Sequence, residues 1–202
     1  MAEPDKLLIA TRNAGKVSEL TELLAGLPLS LRNLSDLPDI PEVEETGRTF
    51  VENATLKARY YAARSGLWTL ADDSGLEVEA LGNAPGVYSA RYAGPDASDE
   101  ERMARLLEEL RATGNTERRA RFVCVLAINT PGTEAVDCFT GTCEGRIAHA
   151  PRGRGGFGYD PVFIPDGYTE TFGELPPSVK RHISHRARAL AELQVFLRTR
   201  FR

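Results

Sequence analysis

The chain has 202 residues, of which 42% are hydrophobic and 27% charged, and its formal net charge is −4. This composition is typical of an ordinary globular protein and excludes a fibrous or disordered chain. The longest apolar run, Phe122–Ile128, is too short to cross a bilayer, and Leu7–Ala10 is too short an apolar core for a secretory signal. Three cysteines cannot form a disulfide framework or a four-thiolate zinc site. We therefore expect a cytoplasmic protein with no membrane partner.

The charge changes sign along the chain. Residues 1–145 carry a net −9, whereas residues 146–202 carry a net +5. An anionic ligand held by a metal on one side and by cations on the other suits this division, although ordinary surface charge accounts for it equally well. The overall negative charge argues against a duplex-binding surface, and we expect no stable nucleic-acid partner.

Helices and strands are predicted to alternate in the first part of the chain. In order they are a strand at Lys6–Thr11, a helix reaching about Leu27, a strand at Leu29–Asn33, a helix at Thr49–Ser65 and a strand at Trp68–Ala71. The last strand is expected to deliver the acidic pair Asp72–Asp73 to its end.

Antiparallel strands are predicted further along. Ser98 and Glu101 form a capping box that opens a helix. Arg121–Asn129 and Glu134–Glu144 flank a turn and predict a long hairpin, and the last segment has helical spacing. This order favours a mixed-sheet α/β fold of two lobes with a cleft between them, in a single domain over residues 1–202 without a separable linker.

The segment Thr11-Arg12-Asn13-Ala14-Gly15-Lys16 joins a predicted strand to a predicted helix. Backbone N–H groups at a helix start, with the helix dipole behind them, bind phosphate, and Lys16 adds a positive charge. The segment is not a P-loop, because Ala10 and Val17 stand where that motif requires Gly and Ser or Thr. An ordinary turn that opens a helix is the alternative interpretation.

Two groups of acidic residues are candidates for holding a cation. One lies in a presumed loop and comprises Asp39, Glu42, Glu44 and Glu45; the other is Asp72–Asp73. Mg²⁺ prefers carboxylate oxygens and retains water, so two or three converging acids suffice. A solvated loop is the alternative for the first group, whereas adjacent acids after an apolar strand repel each other unless a cation compensates them.

The segment Gly153–Pro161 contains glycines with the spacing G-x-G-x-x-G. A dinucleotide-binding fingerprint must open a helix, but Pro161 and Pro165 predict an extended continuation, so that interpretation is rejected. The glycines suit a backbone that approaches a flat ligand closely, with Phe157 stacked on it. A flexible surface loop is the alternative.

The segment Lys180–Arg186 is strongly basic. On a straight helix Lys180 and His185 lie about 140° apart and cannot face one ligand. A helix break at Ser184, which is a good N-cap residue, removes that difficulty. A solvated basic helix face is the alternative interpretation.

Together these segments resemble the non-standard purine nucleoside triphosphate pyrophosphatases, known as the inosine/xanthosine triphosphate pyrophosphatase or Ham1-like family. The similar stretches follow one another in family order along nearly the whole chain. They are Thr11–Glu19, Glu44–Ala58, Ala71–Leu76, Pro85–Gly94, Gly156–Pro161 and Ile183–Arg186.

The resemblance implies an elongated α/β fold with a long mixed β-sheet flanked by helices, a substrate cleft between two lobes, and usually a homodimer. It implies Mg²⁺-dependent hydrolysis of inosine, deoxyinosine or xanthosine triphosphate to the monophosphate and pyrophosphate, which keeps these nucleotides out of DNA and RNA. Asp73 corresponds to the general base and a metal ligand, and Glu44 to the second metal ligand, with Glu45 as the alternative. The implied substrate-binding residues are Thr11, Arg12, Asn13, Ala14, Gly15, Lys16, Ser74, Phe157, Gly158, Tyr159, Asp160, Lys180, His185 and Arg186.

His185 and Arg186 are expected to donate to the purine carbonyl that distinguishes hypoxanthine and xanthine from adenine. Three other functions are kept as alternatives. They are a non-catalytic nucleotide or single-stranded RNA binding module, a hydrolase that releases orthophosphate, and a nucleotidyltransferase.

Overall fold

The computed structural model describes residues 5–200, which form strands, helices and short 3-10 turns. The strands are β1 Asp5–Ala10, β2 Leu29–Asn33, β3 Trp68–Val78, β4 Arg119–Asn129, β5 Val136–Ile147 and β6 Phe163–Pro165. The helices are α1 Ala14–Leu23, α2 Phe50–Ser65, α3 Asp99–Ala112, α4 Pro177–Ile183 and α5 His185–Arg200.

Over residues 5–200, six strands form one sheet in the order β2-β1-β3-β4-β5-β6. Strand β1 is parallel to both β2 and β3, whereas β5 is antiparallel to β6, so the sheet is mixed. This confirms the predicted α/β class with a mixed sheet flanked by helices. No helix within the described range is long and apolar enough to cross a membrane.

The chain divides into two compact units. Within the described range, the first unit contains residues 5–73, Cys124–Gly141 and residues 186–200. Its core joins β1 and α1 to α5 through residues such as Leu7, Leu20 and Leu193. The second unit contains Ser74–Val123 and Thr142–His185, and its core joins α3 to residues such as Phe122 and Phe163. The single domain and the cleft expected from the sequence stay predictions.

Local signals explain where the helices begin. The Thr49 side chain accepts from the Glu52 N–H group at the start of α2. At the start of α3 the Ser98 side chain accepts from the Glu101 N–H group, as the capping box in the sequence predicts. The predicted break at Ser184 is confirmed, because this residue is extended (φ −66°, ψ 158°) between α4 and α5.

Two predicted boundaries are wrong. Helix α1 ends at Leu23 and not near Leu27, because the backbone turns at Leu24–Gly26 before β2. Strand β3 does not end at Ala71 but continues through Asp72 and Asp73 to Val78. The acidic pair therefore lies inside a buried strand, where cationic side chains compensate its charge.

Candidate active site

The register of the parallel strands brings the first predicted phosphate-binding segment to the acidic pair. Ala10, the last residue of β1, is paired with Ala71 of β3. The chain that leaves β1 therefore passes beside Asp72, and α1 begins only four residues later. As a result, the Nζ atom of Lys16 lies 2.7 Å from Oδ1 of Asp72.

The start of α1 is shaped by its own side chains. The Asn13 side chain accepts from the N–H group of Lys16 at 3.0 Å and caps the helix. Thr11 accepts from the Asn13 N–H group, and Arg12 donates to the carbonyl of Ile40. Ala14 is exposed and Gly15 is half-buried, so the N–H groups that open this helix are near the surface. An exposed helix start with a lysine in its first turn is suited to an anionic ligand.

Asp72 lies at the centre of a buried ion network in the first unit. Lys16 contacts Oδ1, and the Nε atom of Arg186 donates to Oδ2 at 2.8 Å. Arg186 also donates to Glu19 of α1 and is 1% exposed. Burial alone would raise the pKa of the Asp72 carboxyl, but Arg186 and Lys16 outweigh it and hold that pKa well below its ordinary value. Asp72 is therefore a fixed anion.

Asp73 has a different environment, because side chains alternate along a strand. The Nζ atom of Lys57 lies 2.7 Å from its Oδ1 atom, and Asn53 donates to its Oδ2 atom at 3.4 Å. Burial has the largest influence on Asp73 and raises the pKa of its carboxyl above the ordinary value, although Lys57 and Lys16 oppose this. Of the two acids, Asp73 is therefore the one suited to accept a proton.

Helix α2 supplies the partners of Asp73. Asn53 and Lys57 are four residues apart and share one helix face, and both are buried. The side-chain oxygen of Asn53 accepts from the Gly47 N–H group at 2.8 Å, and a Cβ atom on Gly47 would lie 2.5 Å from that oxygen. Gly47 therefore allows the acidic loop to approach α2 closely.

Lys57 joins the acidic loop to the strand. Its Nζ atom lies 2.8 Å from Oε1 of Glu45 as well as 2.7 Å from Asp73. Burial lowers the pKa of Lys57, but its two carboxylate partners outweigh this and raise that pKa, so the ammonium group stays charged. Sequence reasoning missed Lys57 and Asn53 as site residues, although two polar residues at helical spacing on the buried face of α2 are a usable signal.

The second unit gathers Phe157, Asp160 and Lys180. Oδ2 of Asp160 accepts from the N–H group of Phe157 at 2.9 Å and from Lys180. The Nζ atom of Lys180 lies 4.5 Å from the centre of the Phe157 ring. Asp160 is 1% and Lys180 8% exposed, whereas Phe157 is half-buried. The ring is therefore held in place by buried charges and keeps part of its surface open to a flat ligand.

Three other predicted substrate residues have structural contacts in this unit. The Tyr159 hydroxyl donates to the Ser89 carbonyl at 3.0 Å, and its ring belongs to the core. The ring of His185 is 4% exposed and stacks on Phe122, with ring centres 4.7 Å apart. Ser74 is half-buried in β3. The predicted substrate contacts of these residues stay predictions.

Comparisons with known proteins agree on one family. The model of the Ham1 family matches residues 7–196. The chain belongs to the Ham1 family. A dITP/XTP pyrophosphatase of Exiguobacterium sp. is 52% identical over 189 residues, covering 94% of this chain and 95% of that protein. The corresponding protein of Geobacter sulfurreducens is 51% identical with 94% of each chain covered.

Solved Ham1 structures have the same fold. A HAM1 protein from Coxiella burnetii superposes with a TM-score of 0.90 at 44% identity, covering 96% of this chain and 99% of that one. The Ham1 protein of Staphylococcus aureus gives a TM-score of 0.85 at 42% identity, with 97% and 100% covered.

The resemblance to the Ham1 family implies Mg²⁺, and the acidic residues of the first unit fit a site with two carboxylates. No group of three or more His, Cys, Asp or Glu side chains between residues 5 and 200 is arranged to hold a metal. Glu45 and Asp73, however, both contact one ammonium group, so a cation is already stabilised between them. Glu44 is exposed, whereas Glu45 is half-buried. The assignment of Glu44 as the second metal ligand, with Glu45 as the alternative, stays a prediction.

Proposed function

We propose that this chain hydrolyses non-standard purine nucleoside triphosphates, those of inosine, deoxyinosine and xanthosine, to the monophosphate and pyrophosphate. The observation that carries the proposal is the contrast between two adjacent carboxylates. Asp72 is locked as an anion by Lys16 and Arg186, whereas the pKa of Asp73 is raised beside the start of α1. The names of the two bacterial relatives, dITP/XTP pyrophosphatase, support the deoxyinosine and xanthosine substrates.

Asp73 acts as the general base. Its carboxylate accepts the proton of the water that attacks the α-phosphorus, and the bond to the pyrophosphate oxygen breaks. Lys57 holds the carboxylate in position through Oδ1, and Asn53 supports Oδ2.

The phosphates bind at the start of α1. Thr11, Asn13 and Lys16 lie there, and the N–H groups of a helix start with their partial positive charge attract the departing pyrophosphate. Asp72 does not react but keeps Lys16 in position.

Asp73 and Glu45 are the residues that would hold Mg²⁺ through their carboxylate oxygens. When bound, Mg²⁺ would neutralise phosphate charge and lower the pKa of the attacking water. Glu44 stays available as the other candidate carboxylate.

The purine binds on Phe157. This ring stacks on the base. Lys180 contacts the ring, Asp160 holds the Phe157 N–H group, and Gly158 allows a close backbone approach. We further propose that the protein forms a homodimer and is located in the cytoplasm. Sedimentation analysis of the purified protein tests the homodimer.

One assay tests the proposed reaction against its alternatives. The protein is incubated with Mg²⁺ and the triphosphates of inosine, deoxyinosine, xanthosine, adenosine and guanosine, and the products are separated. We expect monophosphate and pyrophosphate from the first three nucleotides only. Release of orthophosphate would instead indicate cleavage at the γ-phosphate, and binding without turnover would indicate a non-catalytic nucleotide-binding protein.

A further inference from the structure

The glycine-rich loop that carries Phe157 stands over a cavity. Residues 151–156 are exposed, and a cavity of about 690 Å³ lies between this loop and helix α3. Met103 and Leu107 of α3 line it from one side and Arg154 and Phe157 from the other. On its other side the loop is tied to residues 171–173, because the Gly155 N–H group donates to the Gly173 carbonyl at 2.9 Å and the Thr171 hydroxyl donates to the Arg152 carbonyl at 2.8 Å. The cavity separates the loop from α3, so a hydrogen bond that crosses it helps to position the part of the loop that carries Phe157.

Asp99 provides a tether across this space. It is the first residue of α3, and its Oδ2 atom accepts from the Gly158 N–H group at 2.6 Å. Its other oxygen, Oδ1, accepts from Arg102 one turn along the same helix at 2.5 Å. The carboxylate is therefore fixed on a rigid element and directed at the residue that follows Phe157.

Two carboxylates from different elements thus hold two successive N–H groups. Asp160 binds the N–H group of Phe157, and Asp99 binds that of Gly158. Gly158 has a φ of +62°, a conformation that glycine adopts without strain, so its N–H direction is not set by the residue type. The hydrogen bond to Asp99 selects that direction.

We propose that Asp99 is a positioning residue for purine recognition. Its hydrogen bond fixes the loop so that the Phe157 ring is placed to stack on the base. The inference rests on the proposed function, because it assigns Phe157 to the purine. Asp99 acts through the loop and not on the phosphates, so its loss affects substrate binding and leaves the chemical step intact.

The test compares four proteins in the same steady-state assay with xanthosine and deoxyinosine triphosphates. In Asp99→Ala we expect KM to rise about tenfold, the size that loss of a hydrogen bond to a charged group supports, with kcat nearly unchanged. Asp99→Asn retains an oxygen that accepts from Gly158, so its KM should return most of the way to the wild-type value.

Arg105→Gln is the matched control, because Arg105 lies on the same helix and donates to Glu109 and to the Tyr92 carbonyl, and not to Asp99 or the loop. It should lower the melting temperature about as much as Asp99→Ala does but leave KM unchanged. Amide hydrogen exchange at Gly158 should be faster in Asp99→Ala than in Asp99→Asn. If Asp99→Ala does not fold, Asp99→Glu replaces it, since the added methylene displaces the carboxylate and should raise KM.

An unchanged KM in Asp99→Ala would overturn the inference, and so would an equal rise of KM in Arg105→Gln. A wild-type protein that hydrolyses none of the non-standard triphosphates would overturn the proposed function itself. The two failures are therefore distinguished by whether the wild-type protein is active in the same assay.

Discussion

Asp72 and Asp73 are consecutive residues of one strand and have opposite properties. The pKa of Asp72 lies well below its ordinary value because Arg186 and Lys16 outweigh its burial, whereas burial raises the pKa of Asp73. Adjacent side chains of a strand point to opposite faces, so each carboxylate meets its own cations. One face therefore supplies a permanent negative charge and the other a proton acceptor.

Substitution of these two residues should separate catalysis from stability. In Asp73→Asn we expect kcat to fall by about 10²–10⁴, the usual effect of losing a general base, with a small change in stability. Asp72→Asn should instead lower the free energy of unfolding by roughly 3 kcal/mol, because it leaves the buried Arg186 without one of its anions. Steady-state kinetics and denaturant unfolding of both variants measure this. Equal and small effects on kcat would show that Asp73 is not the base.

Arg186 tests whether a residue predicted to read the base has that role. Its guanidinium is buried and donates to Asp72 and Glu19, so we expect Arg186→Ala to lower the melting temperature strongly. Because these contacts do not distinguish purines, the ratio of kcat/KM for inosine triphosphate to that for adenosine triphosphate should stay constant. A narrower ratio would instead support the sequence prediction that Arg186 contacts the purine carbonyl.

The backbone of the loop from Pro151 to Asp160 takes positive φ angles at glycines, two of which have different surroundings. Gly156 has a φ of +72°, and a Cβ atom there would lie 1.9 Å from Oδ2 of Asp160. That oxygen holds both the Phe157 N–H group and Lys180. At Gly158, in contrast, a Cβ atom would have no neighbour within 4 Å.

These two glycines should therefore respond differently to alanine. Gly158→Ala adds only backbone strain, worth about 1–2 kcal/mol for a left-handed residue. Gly156→Ala adds the same strain and also displaces the Asp160 carboxylate, so we expect it to raise KM clearly more than Gly158→Ala does. Kinetics with xanthosine triphosphate measure the difference, and identical KM values would contradict it.

Tyr92 donates a hydrogen bond to Glu109 of helix α3, and this contact makes the free energy of unfolding depend on pH in the alkaline range. Burial and the hydrogen bond to Glu109 raise the pKa of Tyr92 to about 12. The unfolded chain releases this proton from about pH 10, whereas the folded protein retains it, so the free energy of unfolding falls as the pH rises from about 10 to about 12. Urea unfolding of the wild type and Tyr92→Phe across this range should give a shallower decline in the variant. Parallel curves would show that Tyr92 does not contribute.

At the scale of the whole molecule, the two units carry different parts of the proposed function. The ion network around Asp72 and Asp73 lies in the first unit, and the aromatic loop with Lys180 lies in the second. Each unit has its own apolar core. Each set of side chains is therefore held by a core of its own.

The proposed hydrolysis is expected to require a divalent metal ion. Because the candidate ligands are carboxylates, we expect Mg²⁺ or Mn²⁺ to support activity and Zn²⁺ to be a poor substitute. Activity should disappear in excess chelator and return when Mg²⁺ is added. Glu45→Gln should raise the Mg²⁺ concentration needed for half-maximal activity more than Glu44→Gln, and full activity in chelator would contradict the metal proposal.

The sequence by itself determined the local features of this protein. The Ser98–Glu101 capping box predicts the start of α3, and the sequence around Ser184 predicts the break between α4 and α5. Motifs in family order predict the Ham1 family, which the family match confirms. These features depend on residues close together in the chain, so the order of residues is enough to find them.

Only the tertiary structure decided which charges pair and which side chains are buried. Lys16, Lys57 and Arg186 all carry positive charge in the sequence, but the β1–β3 register and the packing of α2 and α5 assign Lys16 and Arg186 to Asp72 and Lys57 to Asp73. Tertiary contacts also extend β3 through Asp72 and Asp73 and bury Tyr159 and His185. A local pattern cannot supply this information, because burial and ion pairing depend on contacts between segments that are distant in the chain.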